Sequence, residues 1–470
     1  MLSRCIVPAL AVCLLGGCAL APRAPATPAF DPRSTPILLY AGPAPAEAQR
    51  LSARLAAVSA VREDGGIVPL RVVDPEVTPQ GGPAQRLVAT GALPSGRYSG
   101  LEVTVADAAV AGPDGITPLR LPEAPAHLDL PFSAAEGRGL VVDWELDLKA
   151  ALVDGFRFVP AFRATIPIRP VAGLIGLASL TDEGLVLTFD RRSGRVAGVT
   201  PVGRRPVGIA VDGARRRAYV AVAGDDALVA IDLEQGVVLL RRPLRGGDEP
   251  VDLALTPDGA TLLVANEGSS SVSFVDAQGL SESSRITVGE APVAVLLDRQ
   301  GKTAFVTCRR ANQVVALSTA SPPVAVGAIA TDPDPFRVVL SRTERRLYVA
   351  HEGSPYLVVA DPGTFALVQR SFAGPGQTAI SVDMTSDRVY LARRGTGKIE
   401  VFDPLSLLAI DRLPVSGDVA YMTLDRETAS ILAALPKIGR IDRVSPVSGS
   451  LEGTVAAGPG VRFVALAGER

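Results

Sequence analysis

Histidine is the side chain that most often carries catalysis and metal binding near neutral pH, and this chain has only two, His127 and His351. A site with several imidazole ligands is therefore impossible. The sequence also lacks Cys-x-x-Cys-His for haem attachment, His-Glu-x-x-His for zinc and Gly-x-Ser-x-Gly for a serine nucleophile. We predict no catalytic residue, no metal ligand and no cofactor.

The two histidines differ in their surroundings. His127 lies at a boundary between a loop and a strand, where we expect a surface or packing residue. His351 directly follows the strand-like run Leu347-Tyr348-Val349-Ala350, and this run recurs along the chain. The position of His351 is therefore best understood from the repeat that contains it.

A repeat of about forty residues fills the C-terminal 300 residues. The recurring run has its central residues 41 to 44 positions apart, at Val220, Val264, Val306, Val349, Leu391 and Leu432. An aspartate keeps the same period at Asp190, Asp232, Asp276, Asp361 and Asp403, and a proline does so at Pro206, Pro250, Pro292 and Pro335. This period, with about four short strands in each unit, is typical of a β-propeller blade.

The repeat resembles the YVTN family of propellers, most clearly between residues 248 and 289. That unit contains Pro250, Thr256-Pro257-Asp258-Gly259, Leu262-Leu263-Val264-Ala265-Asn266 and Val272-Ser273-Phe274-Val275-Asp276. Six repeats are complete. Residues 172–203 supply three strands of a further blade, and Val461 to Leu466 supplies its first strand. We therefore predict seven blades in a ring that is closed by pairing of the two ends of the propeller.

Resemblance to propellers implies that the end of each second strand and the start of each innermost strand share one face. That face usually carries the binding site. Mixed arginines and carboxylates around a concave mouth suit a polar or charged ligand. The candidate ligand-binding residues are Asn266, Cys308, Arg309, Arg310, His351, Glu352, Arg393, Arg394, Arg205, Glu249, Glu290, Asp334 and Asp418.

Cys308 has two interpretations. Beside Arg309 and Arg310 it could be a thiol with a lowered pKa, and thus reactive. A single cysteine in a strand is more often a small buried apolar residue, which is the interpretation we favour.

The N-terminus carries an export signal. Arg4 provides a positive charge, Ile6 to Leu15 is an apolar stretch too short to span a bilayer, and Leu15-Gly16-Gly17-Cys18 resembles the bacterial lipobox. The resemblance implies acylation of Cys18, removal of residues 1–17 and membrane attachment through lipid. Ala19 favours the outer membrane. Residues 18–34 are rich in proline and alanine, which is typical of an extended tether.

Residues 35–170 are predicted to form a β-sandwich. Alternation of apolar and polar residues in Leu101–Val105 and Val141–Leu148 indicates half-buried antiparallel strands, whereas Leu51–Val61 fits either a helix or a strand. The runs Leu93–Tyr98 and Phe156–Pro160 resemble an uncharacterised β-sandwich domain of bacterial surface lipoproteins. The whole chain is thus expected to be all-β, with the propeller at residues 171–470.

Composition excludes two classes of function. Apolar residues make up 47% of the chain, but no long continuous apolar stretch follows the N-terminus, so a polytopic membrane protein is excluded. A net charge of −2 is not the basic footprint of a nucleic-acid binder. The leading hypothesis is a non-enzymatic cell-envelope protein that binds or scaffolds an envelope protein or a polar ligand at the propeller mouth. The alternatives are a lactonase-like hydrolase, a cofactor-dependent oxidoreductase, and a structural surface-array protein.

Overall fold

A computed structural model describes residues 34–42, 51–76, 85–112, 115–170 and 174–467. The export signal, Cys18 and the tether up to residue 33 lie outside the described residues. Within the described part of the chain, no helix is long and apolar enough to cross a membrane. Almost all regular structure there is strand, which confirms the all-β prediction.

The N-terminal region forms a nine-stranded sheet, a short helix and a small hairpin. The sheet strands are β1 (Thr35–Ala41), β2 (Leu51–Arg62), β3 (Ile67–Val72), β4 (Arg86–Leu93), β5 (Gly96–Gly112), β6 (Gly115–Pro118), β7 (Ala126–Ala134), β8 (Leu140–Leu146) and β11 (Phe162–Thr165), and the other elements are α1 (Leu148–Ala151), β9 (Leu152–Val153) and β10 (Arg157–Phe158).

The order in the sheet is β11-β8-β1-β4-β3-β2-β5-β6, and β7 also pairs with β5. The stretch Leu51–Val61, which fits either a helix or a strand by its sequence, is a strand paired along its length with β5. Division of this region into the two layers of a sandwich stays a prediction.

The rest of the described chain forms seven four-stranded antiparallel sheets, which confirms the seven-bladed propeller. Apolar residues alternate along the inner strands and pack between neighbouring blades. Blades 1 to 3 comprise β15 (Pro206–Asp212), β16 (Arg217–Val222), β17 (Ala227–Asp232) and β18 (Val238–Pro243); β19 (Pro250–Leu255), β20 (Thr261–Asn266), β21 (Ser271–Asp276) and β22 (Glu282–Thr287); and β23 (Pro292–Leu297), β24 (Thr303–Cys308), β25 (Gln313–Ser318) and β26 (Val324–Ala330). A short 3-10 helix (Ala223–Asp225) follows β16.

Blades 4 to 6 have the same plan, with strand 1 innermost and strand 4 outermost. Blade 4 has β27 (Pro335–Leu340), β28 (Leu347–His351), β29 (Tyr356–Ala360) and β30 (Leu367–Phe372). Blade 5 has β31 (Gln377–Val382), β32 (Val389–Arg393), β33 (Lys398–Phe402) and β34 (Ala409–Pro414). Blade 6 has β35 (Tyr421–Asp425), β36 (Ser430–Leu435), β37 (Arg440–Val444) and β38 (Leu451–Ala456).

Blade 7 is built from both ends of the propeller. Its strands are β12 (Ile175–Leu180), β13 (Leu185–Asp190), β14 (Val196–Pro201) and β39 (Val461–Leu466), and their order is β14-β13-β12-β39. The C-terminal strand is therefore the innermost strand of this blade, paired with β12 from Gly176 opposite Leu466 to Leu180 opposite Val461. The predicted closure of the ring is confirmed.

A buried ion pair joins blade 7 to blade 6 beside this closure. The Arg191 side chain is 2% exposed and donates through Nε to the fully buried Asp425 carboxylate at 3.0 Å. Burial raises the pKa of Asp425, but the hydrogen bonds and charge of Arg191 outweigh that effect and leave its pKa lowered. The pair therefore stays charged within the protein, and loss of one partner would leave the other as a buried charge without a counter-charge.

The N-terminal sheet packs against blade 7. Leu38, Tyr40 and Leu87 of the sheet share one core with Leu187 and Phe189 of the blade. Polar contacts surround this core. Gln85 donates to Asp143 at 2.6 Å and accepts from the Val196 backbone at 2.6 Å, and Arg195 pairs with Asp143 at 2.8 Å. The sheet is thus fixed to the outer strands of blade 7, away from the centre of the ring.

Candidate functional site

Strand pairing brings the start of each innermost strand to the end of the second strand. Pro250 lies opposite Asn266, Pro292 opposite Cys308, Pro335 opposite His351, and Gln377 opposite Arg393. The loops after the second strands and before the innermost strands therefore surround one mouth of the central channel. A cavity of about 590 Å³ opens there.

Charged side chains of both signs line this cavity. Six are cationic, namely Arg205, Arg309, Arg337, Arg394, Lys437 and Arg462. Four are carboxylates, namely Asp182, Glu267, Glu352 and Asp418. Among the described residues, the lining thus has two more cations than anions, so an anion would be attracted into it.

One register position of the innermost strands forms the upper wall of the cavity. In blades 1 to 7 this position is occupied by Val207, Val251, Val293, Phe336, Thr378, Ala420 and Arg462. Blades 1 to 4 therefore contribute an apolar arc. Blade 7 contributes a guanidinium where the other blades have small or apolar side chains.

The next position forms a second layer, occupied by Gly208, Asp252, Ala294, Arg337, Ala379, Tyr421 and Phe463. Three of the seven are Gly or Ala, which leaves room for four large side chains. At Gly208 the space is fully used, because an added Cβ would lie 2.8 Å from the Cα of Asp252.

Arg337 spans the channel at this second layer. Its Nη1 lies 3.6 Å from Oδ2 of Asp252 in blade 2, and its guanidinium carbon lies 4.9 Å from the ring centroid of Tyr421 in blade 6. The Tyr421 ring in turn stacks on Phe463 of blade 7 with centroids 4.1 Å apart. Cation–π contact holds the guanidinium over the aromatic pair. Arg337 and these rings form the floor of the cavity.

Burial dominates the titration of the floor. It raises the pKa of Tyr421 to about 12, so the phenol stays neutral. It also raises the pKa of the Asp252 carboxyl, although Arg337 and the backbone N–H of Val295, which donates at 3.1 Å, oppose this change. Asp252 is therefore a weak counter-charge for Arg337, because burial disfavours its ionised form and each of its oxygens accepts a backbone N–H, from Leu253 and Val295.

Ion pairs hold the rim of the mouth. Glu352 accepts from both Arg309 and Arg394, so one carboxylate is shared by two guanidinium groups. Asp418 pairs with Lys437 at 2.8 Å, and this hydrogen bond is the main reason that its pKa is lowered.

Arg462 stands apart from these pairs. Its side chain is exposed to the cavity, and among the described residues no carboxylate oxygen lies within 4.0 Å of it. Partial removal of solvent by the surrounding protein disfavours the charged guanidinium and lowers its pKa. The nearby positive charges of Arg309 and Arg337 lower this pKa further. Glu352 and Glu267 act in the opposite direction but less strongly. Arg462 is a cation whose charge is incompletely balanced within the protein.

Some of the residues predicted to bind a ligand line the cavity: Arg205, Arg309, Glu352, Arg394 and Asp418. Others lie outside it. Glu249 is 3.5 Å from Arg205 at the rim, while Arg310 and Glu290 form an exposed pair at 3.4 Å. Asp334 is exposed in the loop before β27.

The four residues that end the second strands are turned away from the cavity. Asn266 is fully buried and donates to Ser273 at 2.8 Å. Arg393 pairs with the nearly buried Glu400 at 2.7 Å. Cys308 is buried in the core between blades 2 and 3, and burial raises its pKa to about 12. These three side chains contact the blades and are not part of the cavity lining.

His351 is also fully buried. Its Nδ1 lies 3.3 Å from the carbonyl oxygen of Tyr356, and its Nε2 has no hydrogen-bond partner among the described residues. Burial is the main cause that lowers its pKa to about 4, although Asp332 opposes the change. The imidazole is therefore neutral at pH 7. The second histidine, His127, is partly exposed on the N-terminal sheet, 3.4 Å from Asp129.

Arg337, Arg462, Tyr421 and Lys437 were not among the predicted site residues. The predicted site residues lie mainly at the ends of strands or in the loops next to them. These four side chains lie within the innermost strands or in the loop after β36. The repeat does contain a signal for two of them. When the innermost strands are aligned, Arg462 stands where the other six blades have Val, Phe, Thr or Ala, and Arg337 stands where three blades have Gly or Ala.

No group of three or more His, Cys, Asp or Glu side chains that could hold a metal ion occurs in the part of the chain that the structure describes. The Arg and Lys side chains of the cavity are anion ligands rather than metal ligands.

Solved structures share the fold. A protein of unknown function from Desulfotomaculum acetoxidans is 14% identical, with a TM-score of 0.55 over 63% of this chain and 99% of that one. A putative 6-phosphogluconolactonase from Bacteroides uniformis is 18% identical, with a TM-score of 0.52 over 62% of this chain and 98% of that one. The dihydro-haem d1 dehydrogenase NirN is 18% identical, with a TM-score of 0.49 over 63% of this chain and 67% of that one. No protein-family model matches the chain, and no curated protein matches its sequence. The likenesses to the Desulfotomaculum and Bacteroides proteins agree with the β-propeller fold.

Proposed function

We propose that the chain is an exported lipoprotein, anchored through Cys18, whose propeller binds a polar ligand in the cavity at the channel mouth without converting it. The cavity itself carries the proposal. About 590 Å³ is within the size range of small-molecule sites, and charged groups of both signs converge on it from six blades and the loops that join them.

Ion pairing at the rim favours binding over proton transfer. Glu352 is held by two arginines, and Lys437 keeps the pKa of Asp418 low. A carboxylate with a lowered pKa, such as Asp418, is a poor general acid and also a weaker general base. Arginine stays protonated at neutral pH, so it can bind charge but does not serve readily as a base.

The binding part of the proposal can be tested by blocking the cavity. Val293→Trp places an indole in the upper wall, whereas Leu239→Trp adds the same side chain on the outer strand of blade 1, where Leu239 is 45% exposed. Full-length protein in a nonionic detergent would be incubated with a small-molecule extract of the cell envelope and studied by native mass spectrometry. We expect ligand on the wild type and on Leu239→Trp, but not on Val293→Trp.

Two results would contradict this function. Equal ligand occupancy in both tryptophan variants would remove the cavity from consideration. A visible absorption band in the purified protein, or conversion of the bound compound, would favour an oxidoreductase or a hydrolase instead.

The export part of the proposal has its own test. Cys18→Ser removes the thiol that would be acylated. We expect wild-type protein to sediment with outer membranes and to carry a lipid mass on its N-terminal peptide, and the variant to lose both properties. A wild-type N-terminal peptide without lipid would overturn the anchor.

A further inference from the structure

Arg337 and Arg462 distinguish this cavity from a generic propeller mouth. Both lie on innermost strands: Arg462 stands where the other six blades have Val, Phe, Thr or Ala, and Arg337 stands where three blades have Gly or Ala. They approach from different sides, since Arg337 belongs to blade 4 and Arg462 to blade 7. Arg309, from the loop after β24, adds a third guanidinium, and its positive charge helps to lower the pKa of Arg462.

The charge of this group is incompletely balanced by the protein. Among the described residues, Arg462 has no carboxylate within ion-pair distance, and Arg337 has only Asp252 at 3.6 Å, which is too long for a hydrogen bond. Arg309 shares Glu352 with Arg394. Grouping cations in this way is unfavourable unless an anion or water compensates for their mutual repulsion.

One wall of the cavity is apolar. Val207, Val251, Val293 and Phe336 form a continuous apolar arc across blades 1 to 4. A ligand that fills the cavity would contact this arc with one part and the guanidinium groups with another. Arginine binds carboxylate and phosphate groups through pairs of parallel N–H donors.

Resting on the proposed binding function, we propose that Arg309, Arg337 and Arg462 form an oxyanion subsite. This subsite binds the carboxylate or phosphate group of a ligand, and the apolar part of the ligand packs on the apolar arc. Arg462 is the central residue of this subsite because no carboxylate of the described chain lies within ion-pair distance of it. Arg337 forms the floor beneath the anion, and Arg309 reaches it from the rim.

The test uses the full-length protein in a nonionic detergent and isothermal titration calorimetry with three probes: inorganic phosphate, phenyl phosphate and phenylacetate. We expect phenyl phosphate or phenylacetate to bind, and inorganic phosphate to bind at least tenfold more weakly because it cannot use the apolar arc. Binding should weaken as sodium chloride is raised, since the attraction is between charges. The two phenyl probes identify whether phosphate or carboxylate is preferred.

Arg462→Gln removes the charge and leaves the packing of the neighbouring Phe463 in place. We expect it to weaken binding of the phenyl probe by about tenfold to a hundredfold, the range for loss of a hydrogen bond to a charged group. Arg412→Gln is the matched control, because Arg412 is exposed on the outer strand of blade 5. The control should bind like the wild type, and both variants should unfold at the wild-type temperature.

The outcomes separate the subsite from the proposed function. A ligand that is lost in Val293→Trp but unaffected by Arg462→Gln would overturn the subsite and leave binding at the mouth intact. Failure of all three probes to bind would also overturn it. Equal affinity for inorganic phosphate and phenyl phosphate would overturn the role of the apolar arc.

Discussion

Two sets of side chains lie at the same end of the propeller but in different environments. Residues that end the second strands contact their own or neighbouring blades; His351 is fully buried and the Arg393 side chain is 20% exposed. Residues one or two positions into the innermost strands, such as Arg337 and Arg462, face the channel. The difference shows that proximity to the mouth does not make a side chain available to a ligand. Orientation within the strand decides it, and the first set should therefore determine stability and the second set binding.

The largest effect on stability is expected from Arg393→Ala. The variant leaves Glu400, which is 8% exposed, without its bidentate partner, and among the described residues Lys398 is the remaining cation near it, at 3.9 Å. Breaking such a pair typically costs about 3 kcal/mol or more. Urea unfolding should show this loss, while the affinity for a phenyl probe stays unchanged. If this variant is as stable as the wild type, Arg393 does not belong to the residues that determine stability, which would contradict the comparison.

His351 should make the protein sensitive to mild acid. Its pKa is about 4 when folded and about 6.5 when unfolded, so between these values the unfolded chain binds a proton that the folded chain does not. Stability falls as the pH is lowered through that window and is unaffected above it. We expect a loss of about 2 kcal/mol from this residue between pH 7 and pH 5.

His351→Asn provides the comparison for this effect, because blade 2 has Asn266 at the same register. The variant should show a smaller decrease in unfolding free energy between pH 7 and pH 5 than the wild type. Parallel pH profiles for the two proteins would contradict the buried neutral imidazole.

Cys308 tests the same comparison through reactivity. Its thiol is fully buried, and burial raises its pKa to about 12, so modification by a thiol reagent at pH 8 should require unfolding. Labelling should be slow in native protein and complete in urea. Cys308→Ala should cost about 1 kcal/mol, as expected for loss of a small buried group. Rapid labelling of the native protein would support the reactive-thiol interpretation.

The smallest effect on stability is expected from Arg394→Ala, next in sequence to Arg393. The Arg394 side chain is 62% exposed and shares Glu352 with Arg309, so its loss should cost less than about 1 kcal/mol. Binding of an anionic probe should nevertheless weaken, since Arg394 lines the cavity. A stability loss as large as that of Arg393→Ala would remove the distinction between these neighbours.

The fold was more accessible from the sequence than the site. A period of about forty residues predicts blades, and the fragment Val461 to Leu466 predicts the closing strand, because both depend on strand patterns repeated along the chain. Leu51–Val61 could not be assigned from its own residues. Its pairing with β5 (Gly96–Gly112), distant in sequence, makes it a strand.

The site was predicted only in part because register within a strand decides which side chains reach the channel. Arg309 and Glu352 lie in loops after the second strands, and they line the cavity as expected. Cys308 and His351 lie just one residue before them, yet they are buried. A change of one position turns a strand residue to the other face. Arg462 could have been found by comparing the innermost strands with one another.

Binding by the channel-facing residues is tested most directly with two variants, Arg462→Gln and Arg393→Ala. The affinity of each for phenyl phosphate, or for phenylacetate if that probe binds better, would be measured under conditions where both variants are folded. We predict that Arg462→Gln loses affinity by about tenfold or more, as expected when a charged hydrogen-bond donor is removed, and that Arg393→Ala binds like the wild type. Equal affinity in Arg462→Gln and wild type, or a comparable loss in both variants, would contradict the assignment of binding to the channel-facing residues.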